Sequence, residues 1–269
     1  MVKIVDFDAF DGVRLRGIYT QARGSVRGSF LLTHGLPSDK DEYGFYSDMA
    51  NFLAANGYSS LRFDFRGCGD SDEFDFRKIT ISHLINDIDS AYRALVELAE
   101  PSTPPALVST SASGGAGLLW AGITGNAVER VFLMAPVLRY WQEAVGRQPR
   151  GDILPDLTAD EIGYLRESGS LGHGEAYGSG FLHEARLVDL LRDKLRFRGQ
   201  VTIMHGDSDT VVPIDGSREM SALNDNVELI EVAGADHGFS VEDDDDLTDP
   251  ETKRNHDFVY RNMLERVVS

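Results

Sequence analysis

Short runs of consecutive apolar residues alternate along the chain with longer stretches in which apolar and polar residues repeat with a helical period. Two stretches, residues 45–57 and 81–100, place apolar side chains three and four positions apart, which is typical of amphipathic helices. Strands that alternate with helices predict a parallel sheet covered by helices on both faces. The apolar runs of strand length are residues 30–35, 59–69, 105–111, 131–137, 201–207 and 227–234.

The amino-terminal segment follows a different pattern. In VKIVDFDAFDGVRLRGIYTQA (2–22), apolar and polar positions alternate on both sides of the Asp11-Gly12 dipeptide. Asp-Gly favours a tight turn between two antiparallel strands. The segment therefore predicts an antiparallel hairpin at one edge of the sheet.

About sixty residues between the fourth and fifth apolar runs break the alternation. Residues 157–168 predict a helix, whereas residues 169–185 (GSLGHGEAYGSGFLHEA) are too rich in glycine for a helix and indicate a hairpin or a flexible flap. Aromatic side chains in this segment favour an ordered insertion: Tyr164, Tyr177 and Phe181. We expect an α/β core formed by residues 1–138 and 199–269, with residues 139–198 as an inserted cap or lid.

The bulk composition narrows the class of protein. A chain of 269 residues with 42% hydrophobic residues fits a soluble globular protein with a real core. The single cysteine, Cys68, rules out an internal disulfide framework and favours a reducing compartment. The first ten residues lack the apolar stretch of a signal peptide, and no apolar run has the length of a membrane span. We expect a cytoplasmic protein without a membrane segment.

The formal net charge is −18, from 44 acidic and 26 basic residues. Nucleic acids and anionic membrane surfaces bind clustered lysine and arginine, so this charge argues against both as partners. Solubility explains the acidic excess most simply, and genome composition and a salty habitat both stay open as its origin. The acidic run EDDDD (242–246) is the only low-complexity segment.

Residues 108–115 read VSTSASGG and lie where a predicted strand ends and a helix begins. A nucleophilic serine on such a sharp turn needs small residues two positions before and two positions after it. Ser111 and Ser113 both meet this requirement. The apolar residues 106–108 lead directly into Ser109, the small residue two before Ser111, and this register favours Ser111 as the nucleophile. The two glycines that follow then fall in the first helical turn, where close packing of helix on sheet needs them.

Two later segments supply partners for a nucleophilic serine. VTIMHGDSDTVVP (201–213) places Asp207 and Asp209 just past a strand end, and VAGADHGFS (232–240) places His237 in a loop after the next strand. The serine needs a base, which His237 provides, and a carboxylate must hold the imidazole in one tautomer. Asp209 sits further into its loop and is the candidate for this carboxylate. Asp207 is expected to fix the turn through backbone N–H groups.

With these segments in place, the chain resembles α/β-hydrolases of the serine-aminopeptidase-like and cinnamoyl (feruloyl) esterase group over essentially its whole length. The resemblance implies an α/β-hydrolase fold and a catalytic triad of Ser111, His237 and Asp209, in the chain order Ser…Asp…His of that superfamily. The matching segments are THGLPSDK (33–40), FDFRGCGDSD (63–72), STSASGG (109–115), HGDSDTVVP (205–213) and GADHGFS (234–240).

The same resemblance implies an oxyanion hole. His34 and Gly35 would shape the loop, and the backbone N–H groups of Leu36 and Ala112 would bind the oxyanion. Two preorganised donors aimed at the developing charge stabilise the transition state by several kcal/mol in such enzymes.

The turn around the candidate nucleophile departs from the usual G-x-S-x-G of the family, because both glycines are serines here. It is similar to the elbow of the acyl-transferring thioesterases of bacterial luminescence. Three hypotheses therefore stand: a carboxylic ester hydrolase, an acyl thioesterase or acyltransferase with the same triad, and a non-catalytic receptor with this fold. The HGLPSDK segment and the insertion favour the esterase, and the intact triad argues against the receptor.

The remaining candidates are weaker. Trp141 and Tyr177 in the insertion are expected to supply an apolar wall for a small-molecule ester. His173 and His183, also in the insertion, are expected to be exposed loop residues, and His205 is expected to be structural. Cys68 has no activating partner in the sequence, and no spacing of histidine, cysteine and carboxylates resembles a metal site, so we expect neither a metal nor another cofactor. The oligomeric state, monomer or homodimer, stays open.

Overall fold

A computed structural model of the chain describes residues 1–125, 127–147, 156–171, 177–191, 195–242, 244 and 246–268. In chain order, strands β1 to β10 span Val2–Asp8, Arg14–Thr20, Gly28–Thr33, Tyr58–Phe63, Ala106–Thr110, Arg130–Met134, Ser170–Leu171, Tyr177–Gly178, Gln200–Gly206 and Val227–Val232. Helices α1 to α8 span Phe45–Ala55, Ile81–Ala99, Ala112–Thr124, Tyr140–Val145, Ala159–Ser168, Ser179–Ala185, Asp215–Leu223 and Pro250–Val268. Two short 3-10 helices lie at Glu42–Gly44 and Phe76–Lys78.

Eight strands form one sheet in the spatial order β1-β2-β4-β3-β5-β6-β9-β10. Strand β2 pairs antiparallel with both β1 and β4, and the other neighbouring pairs are parallel. This arrangement confirms the predicted α/β-hydrolase fold class, including the antiparallel hairpin at one edge. Among the described helices, none combines the length and the apolar character needed to cross a membrane.

The central strands are covered on both faces. Every residue of β3 and β4 is buried, as expected for parallel strands between two layers of helices. On one face, α1 and α8 contribute Met49, Leu53, Val259 and Met263 to an apolar cluster with the sheet. On the other face, α2 and α3 pack through side chains that include Leu84, Ile88, Leu118 and Trp120.

The segment between β6 and β9 corrects one expectation. Residues 169–185 are not free of helix, because α6 occupies the last seven of them. Phe181 and Leu182 are buried in the apolar cluster of α2 and α3, and this burial outweighs the low helix propensity of the neighbouring glycines. Strands β7 and β8 pair antiparallel as a hairpin requires, and His173 lies outside the described residues.

The parallel strands bring the candidate residues to one edge of the sheet. The loops that follow β3, β5, β9 and β10 all leave the carboxyl ends of parallel strands. Ligands of open α/β sheets bind in the crevice outside these ends. The four segments singled out in the sequence therefore converge on one region.

Candidate active site

Ser111 lies at the sharp turn between β5 and α3. Its backbone has φ +52° and ψ −122°, a conformation that is rare for a residue with a side chain. Three backbone hydrogen bonds of 2.9 Å hold it there: the Ser111 N–H donates to Met134 O, and the Ser111 carbonyl accepts from the N–H groups of Gly114 and Val137. The surrounding structure thus stabilises a strained turn that holds Ser111 at the carboxyl end of β5.

The two glycines of the turn allow α3 to approach the sheet. A Cβ on Gly114 would lie 2.6 Å from Pro136 Cβ, and a Cβ on Gly115 would lie 2.6 Å from the Val137 carbonyl oxygen. Neither contact is sterically allowed. Close packing therefore requires glycine at both positions, as the sequence predicts.

The structure distinguishes the environments of the two candidate serines. Ser111 Oγ lies 3.0 Å from His237 Nε2. Ser113 is fully buried, and its hydroxyl is 2.9 Å from the carbonyl oxygens of both Thr33 and Thr110. Only Ser111 of the two is within hydrogen-bond distance of the candidate base.

Asp209 lies on the other side of the imidazole. Its Oδ2 is 2.7 Å from His237 Nδ1, and its Oδ1 accepts the backbone N–H groups of Val211 and Val212 at 2.8 and 2.9 Å. Burial alone would lower the pKa of His237, but the hydrogen bond and the charge of Asp209 outweigh it and raise that pKa above its ordinary value. The geometry thus gives a continuous hydrogen-bonded chain from a carboxylate through an imidazole to a hydroxyl.

His205 is a neighbour of this chain that sequence reasoning treated only as structural. Its Nε2 lies 3.1 Å from Asp209 Oδ2 and 2.9 Å from the carbonyl oxygen of Val212, and its Nδ1 lies 2.8 Å from Ser217 Oγ. Because both partners of Nε2 are acceptors, Nε2 carries the proton, and the Ser217 hydroxyl donates to Nδ1. His205 is therefore a further donor to the Asp209 carboxylate.

These donors keep Asp209 ionised inside the protein. Burial alone would raise the pKa of Asp209, but hydrogen bonds from His205 and His237 hold it far below its ordinary range. A permanently charged carboxylate stabilises the imidazolium form of His237. The only sign of His205's role in the sequence is its position four residues before Asp209.

Asp207 has a different place. It is exposed, and its Oδ1 accepts the backbone N–H of Gly234 at 2.7 Å. This bond joins the loop that carries Asp209 to the loop that carries His237. The prediction that Asp207 fixes its own turn through backbone N–H groups is therefore wrong in its partner, because the backbone N–H that its carboxylate accepts comes from the other loop.

The loop after β3 is shaped by His34. This side chain is fully buried, its Nδ1 lies 2.6 Å from the Gly35 carbonyl oxygen, and its Nε2 accepts the N–H of Phe65 at 3.0 Å. Burial lowers the pKa of His34, which favours the neutral ring that this bonding pattern requires. A Cβ on Gly35 would lie 3.0 Å from Ser111 Cβ, so the loop passes directly beside the candidate nucleophile.

Glu42 anchors the same loop and has no signal in the sequence. Its carboxylate accepts the Gly35 N–H and, at 3.0 Å, the Ser38 hydroxyl. The N–H groups of Leu36 and Ala112 donate no hydrogen bond to any described residue. Two backbone donors are thus left free beside Ser111, one in the anchored loop and one at the first position of α3.

A cavity of about 410 Å³ opens at Ser111 and His237. Most of its described walls are apolar, and they come from the loops after β3, β9 and β10 together with the turn after β5 and the start of α1. One carboxylate in the wall, Asp244, belongs to the acidic run 242–246. The apolar side chains that line the cavity are Leu36, Pro37, Tyr43, Phe45, Val211, Phe239 and Leu247.

Trp141 and Tyr177 lie elsewhere. They are only 2% and 4% exposed, and neither is among the described residues that line this cavity. Tyr177 packs on Phe181 with ring centroids 4.8 Å apart, and the guanidinium of Arg186 lies 4.8 Å from the Trp141 ring. The structure therefore places both in the packing of the insertion, and their contact with a substrate stays a prediction.

Glu143, on α4, is another residue near the site that the sequence does not reveal. It lines an adjoining cavity of about 270 Å³, which shares Val211 with the first. Burial raises the pKa of Glu143 to about 7, with His237 opposing and Asp209 adding to this effect. A carboxyl that titrates near neutrality thus lies within electrostatic reach of the imidazole and its acid.

Cys68, the other nucleophile considered in the sequence, takes no part in the hydrogen-bonded chain. Cys68 is buried, and burial raises the pKa of its thiol to about 12, so the group is neutral and unreactive. Across the described parts of the chain, no group of three or more histidine, cysteine or acidic side chains is arranged to hold a metal ion.

Comparison with known proteins agrees with this geometry at the level of family and fold. The model of the alpha/beta hydrolase family matches residues 30–249. A search of curated proteins found no significant match.

Solved structures with the same fold cover almost the whole chain. The structure of Est1E from Butyrivibrio proteoclasticus with bound ferulic acid aligns with a TM-score of 0.74 at 18% identity and covers 98% of this chain and 100% of that one. A putative hydrolase from Agrobacterium vitis S4 gives 0.73 at 18% identity, with 98% of each chain covered. The esterase EaEST from Exiguobacterium antarcticum gives 0.68 at 19% identity, with 98% and 99% covered.

Proposed function

The chain belongs to the alpha/beta hydrolase family, and from that premise we propose that it is a serine hydrolase that cleaves carboxylic esters through an acyl-enzyme intermediate. The observation that carries the proposal is the hydrogen-bonded chain from Asp209 through His237 to Ser111, with distances of 2.7 and 3.0 Å. Support also comes from neighbours whose names describe them as esterases.

In the first step, the Ser111 oxygen attacks the ester carbonyl carbon. His237 Nε2 accepts the hydroxyl proton as the new C–O bond forms. The Nδ1–H of His237 donates to Asp209, whose negative charge stabilises the imidazolium. This step requires a neutral imidazole in the free enzyme.

The carbonyl oxygen becomes an oxyanion as the bond forms. The N–H groups of Leu36 and Ala112 would donate to it, and each such donor is worth roughly 3 kcal/mol in the transition state. Collapse of the tetrahedral intermediate breaks the bond to the alcohol oxygen, and His237 returns its proton to that oxygen.

Water then repeats the sequence on the acyl-enzyme. His237 takes a proton from the water as its oxygen attacks the acyl carbon, and the same N–H groups receive the second oxyanion. The bond to Ser111 breaks, the serine regains its proton, and the carboxylic acid leaves. Residues 139–198 complete the proposal as a cap, whose described parts contribute buried aromatic side chains such as Tyr140 and Phe181 to the apolar core.

A thioesterase or acyltransferase with the same triad is the second candidate. Its support is the serine at position 113, where the usual elbow of the family has glycine. That serine is buried and bonded to Thr33 and Thr110, so it fills a structural position in this fold. A receptor without catalytic activity is the third candidate, and the assembled triad disfavours it.

One experiment separates the three. Purified protein is treated with a fluorophosphonate probe and assayed on p-nitrophenyl esters and on acyl thioesters of matched chain length. An esterase is labelled and prefers the oxygen esters. Preference for thioesters supports the second candidate, and absence of both labelling and hydrolysis supports the receptor.

A further inference from the structure

Strained backbone is concentrated around one cavity. Among the described residues, seven that are not glycine have positive φ, and five of these line the cavity that opens at Ser111. Strained residues persist only where the surrounding structure holds them, and they cluster at ligand-binding and catalytic positions. The five residues are Glu42, Tyr43, Ser111, Phe239 and Leu247.

The segment Glu42–Gly44 has three successive residues in this conformation. The φ values are +45° at Glu42, +53° at Tyr43 and +101° at Gly44, and only the last residue is one that adopts them without strain. Glu42 is held by the Gly35 N–H and the Ser38 hydroxyl. These hydrogen bonds fix the loop at Glu42. Tyr43 is the next residue, so its backbone position is fixed as well.

The strained conformation brings Tyr43 into no stabilising side-chain contact with the described residues. The residue is 83% exposed, and its side chain makes no hydrogen bond or ring contact with any residue that the structure describes. An apolar ring that is held out by a strained loop, beside the candidate nucleophile, indicates a contact with something absent from the free protein.

The other residues that line the cavity indicate what that ligand is. Phe45 and Phe239 stack with ring centroids 5.6 Å apart, and Leu36 and Leu247 extend the apolar surface. The adjoining cavity is more polar, because Arg139, Gln142 and Glu143 line it together with apolar residues. The apolar cavity therefore suits the group that stays on Ser111 in the acyl-enzyme, and the polar one suits the departing alcohol.

Acidic residues in the cavity wall also limit the charge that a bound acyl group can carry. The carboxylates of Glu42 and Asp244 both line the apolar cavity. Asp244 accepts the backbone N–H groups of Thr248 and Asp249 at 2.9 to 3.2 Å, and the hydrogen bond with the Thr252 side chain, helped by these N–H groups, lowers the pKa of Asp244. An acyl group with its own carboxylate would meet two like charges here.

We propose that this cavity is the acyl subsite, that it takes an uncharged apolar acyl group, and that Tyr43 covers that group and determines specificity. The inference rests on the proposed ester hydrolysis. Tyr43 is a specificity residue, and the chemistry of Ser111 and His237 does not pass through it.

The test compares Tyr43→Ala, Tyr43→Phe and Tyr43→Gly with the wild-type enzyme. The readout is the ratio of kcat/KM for p-nitrophenyl hexanoate to that for p-nitrophenyl acetate, since acetate has only one methyl group for an apolar wall to contact. Tyr43→Ala should lower the ratio about tenfold, mainly through KM for hexanoate, and Tyr43→Phe should keep it within about twofold. Phe10→Ala removes an equally exposed aromatic ring, 76% exposed in the β1–β2 hairpin, and should leave the ratio unchanged.

A second measurement tests the strain without substrate. Tyr43→Ala and Tyr43→Gly both lack the ring and differ in tolerance of positive φ. The Gly variant should have the higher Tm, although glycine at an unstrained position would have the lower one.

Substrate charge gives a third comparison. The wild-type enzyme should hydrolyse p-nitrophenyl hexanoate at least about tenfold better than the p-nitrophenyl monoester of adipic acid, which has the same acyl chain with a terminal carboxylate. Equal rates would overturn the assignment of the acyl group as uncharged.

The outcomes distinguish the two proposals. If the wild-type enzyme hydrolyses the esters and Tyr43→Ala leaves the ratio unchanged, the role of Tyr43 is overturned. A lower Tm for Tyr43→Gly than for Tyr43→Ala also overturns it. Both outcomes leave the proposed function standing. Failure of the wild-type enzyme to hydrolyse any ester or to react with a fluorophosphonate overturns the proposed function, and this inference with it.

Discussion

His237 Nδ1 lies 2.7 Å from Oδ2 of Asp209, a carboxylate whose side chain is completely shielded from solvent. Two backbone N–H groups and the Nε2–H of His205 converge on the same carboxylate. The acid is therefore fixed in position and in charge, and the imidazole has one allowed tautomer.

Loss of the Asp209 charge should affect catalysis far more than folding. Asp209→Asn should lower kcat by about three to four orders of magnitude, as loss of the orienting acid does in serine proteases. Asp207→Asn, its matched control, keeps an oxygen that can accept the Gly234 N–H but loses the charge of that acceptor, so it should cost mainly stability with kcat largely kept. Steady-state kinetics and thermal unfolding of both variants check this, and a reversed pattern would make Asp207 the triad acid.

Removal of His205 should reduce kcat less than loss of the Asp209 charge, because it removes only one hydrogen bond to that carboxylate. His205→Gln can still donate to Asp209, whereas His205→Ala leaves one of its lone pairs without a partner. We expect kcat to fall by about tenfold in His205→Ala and less in His205→Gln, by analogy with residues that orient metal-binding side chains. Equal kcat in the wild type and both variants would show that His205 has no positioning role.

The pH dependence of kcat/KM should report the ionisation of His237. The base must be neutral, and its pKa lies above the ordinary value of about 6.5, so activity should rise with pH to a plateau with a midpoint above about 6.5. Asp209→Asn removes the charge that raises this pKa, so the midpoint of its residual activity should move to lower pH. A midpoint that does not respond to this substitution would show that another group controls the profile.

Glu143 should make stability depend on pH in the opposite sense to a paired carboxylate. Its pKa is raised to about 7 in the folded protein, so the folded state binds a proton more tightly than the unfolded state. Stability from this group is present below about pH 4.5 and is lost as pH rises through about 7, by up to about 3 kcal/mol on the linkage relation. Relative to the wild type, Glu143→Gln should therefore gain stability at pH 8 and gain none at pH 4.

Urea unfolding at both pH values measures this gain. Glu167→Gln, which changes an exposed glutamate on α5, serves as the control and should show no such difference between the two pH values. A Glu143→Gln gain of the same size at pH 4 and pH 8 would show that packing, and not proton binding, is responsible.

The sequence was sufficient for the parts of the molecule that depend on local pattern. The buried strands are continuous apolar runs, and the elbow serine, the acid and the base follow strand ends directly. Ser111 could be preferred to Ser113 because the strand leads into Ser109, and the packing of Gly114 against Pro136 agrees with that register.

The features that the sequence pattern did not predict depend on contacts between distant segments. Glu42 bonds Gly35 only because a strained 3-10 turn folds back on the loop, and no periodicity signals that turn. The helix Ser179–Ala185 forms because Phe181 is buried in the core, a tertiary effect that outweighs local glycine content. The position of the cavity was missed for the same reason, since its described walls come from loops that are far apart in sequence.

The most direct test of the account is the site of covalent modification. Wild-type protein, Ser111→Ala and Ser113→Gly are treated with a fluorophosphonate, and the modified peptide is identified by mass spectrometry. The account predicts a single modification at Ser111 in the wild type and in Ser113→Gly, and no modification or ester hydrolysis in a folded Ser111→Ala. Modification of Ser113, or ester hydrolysis that survives in Ser111→Ala, would contradict it.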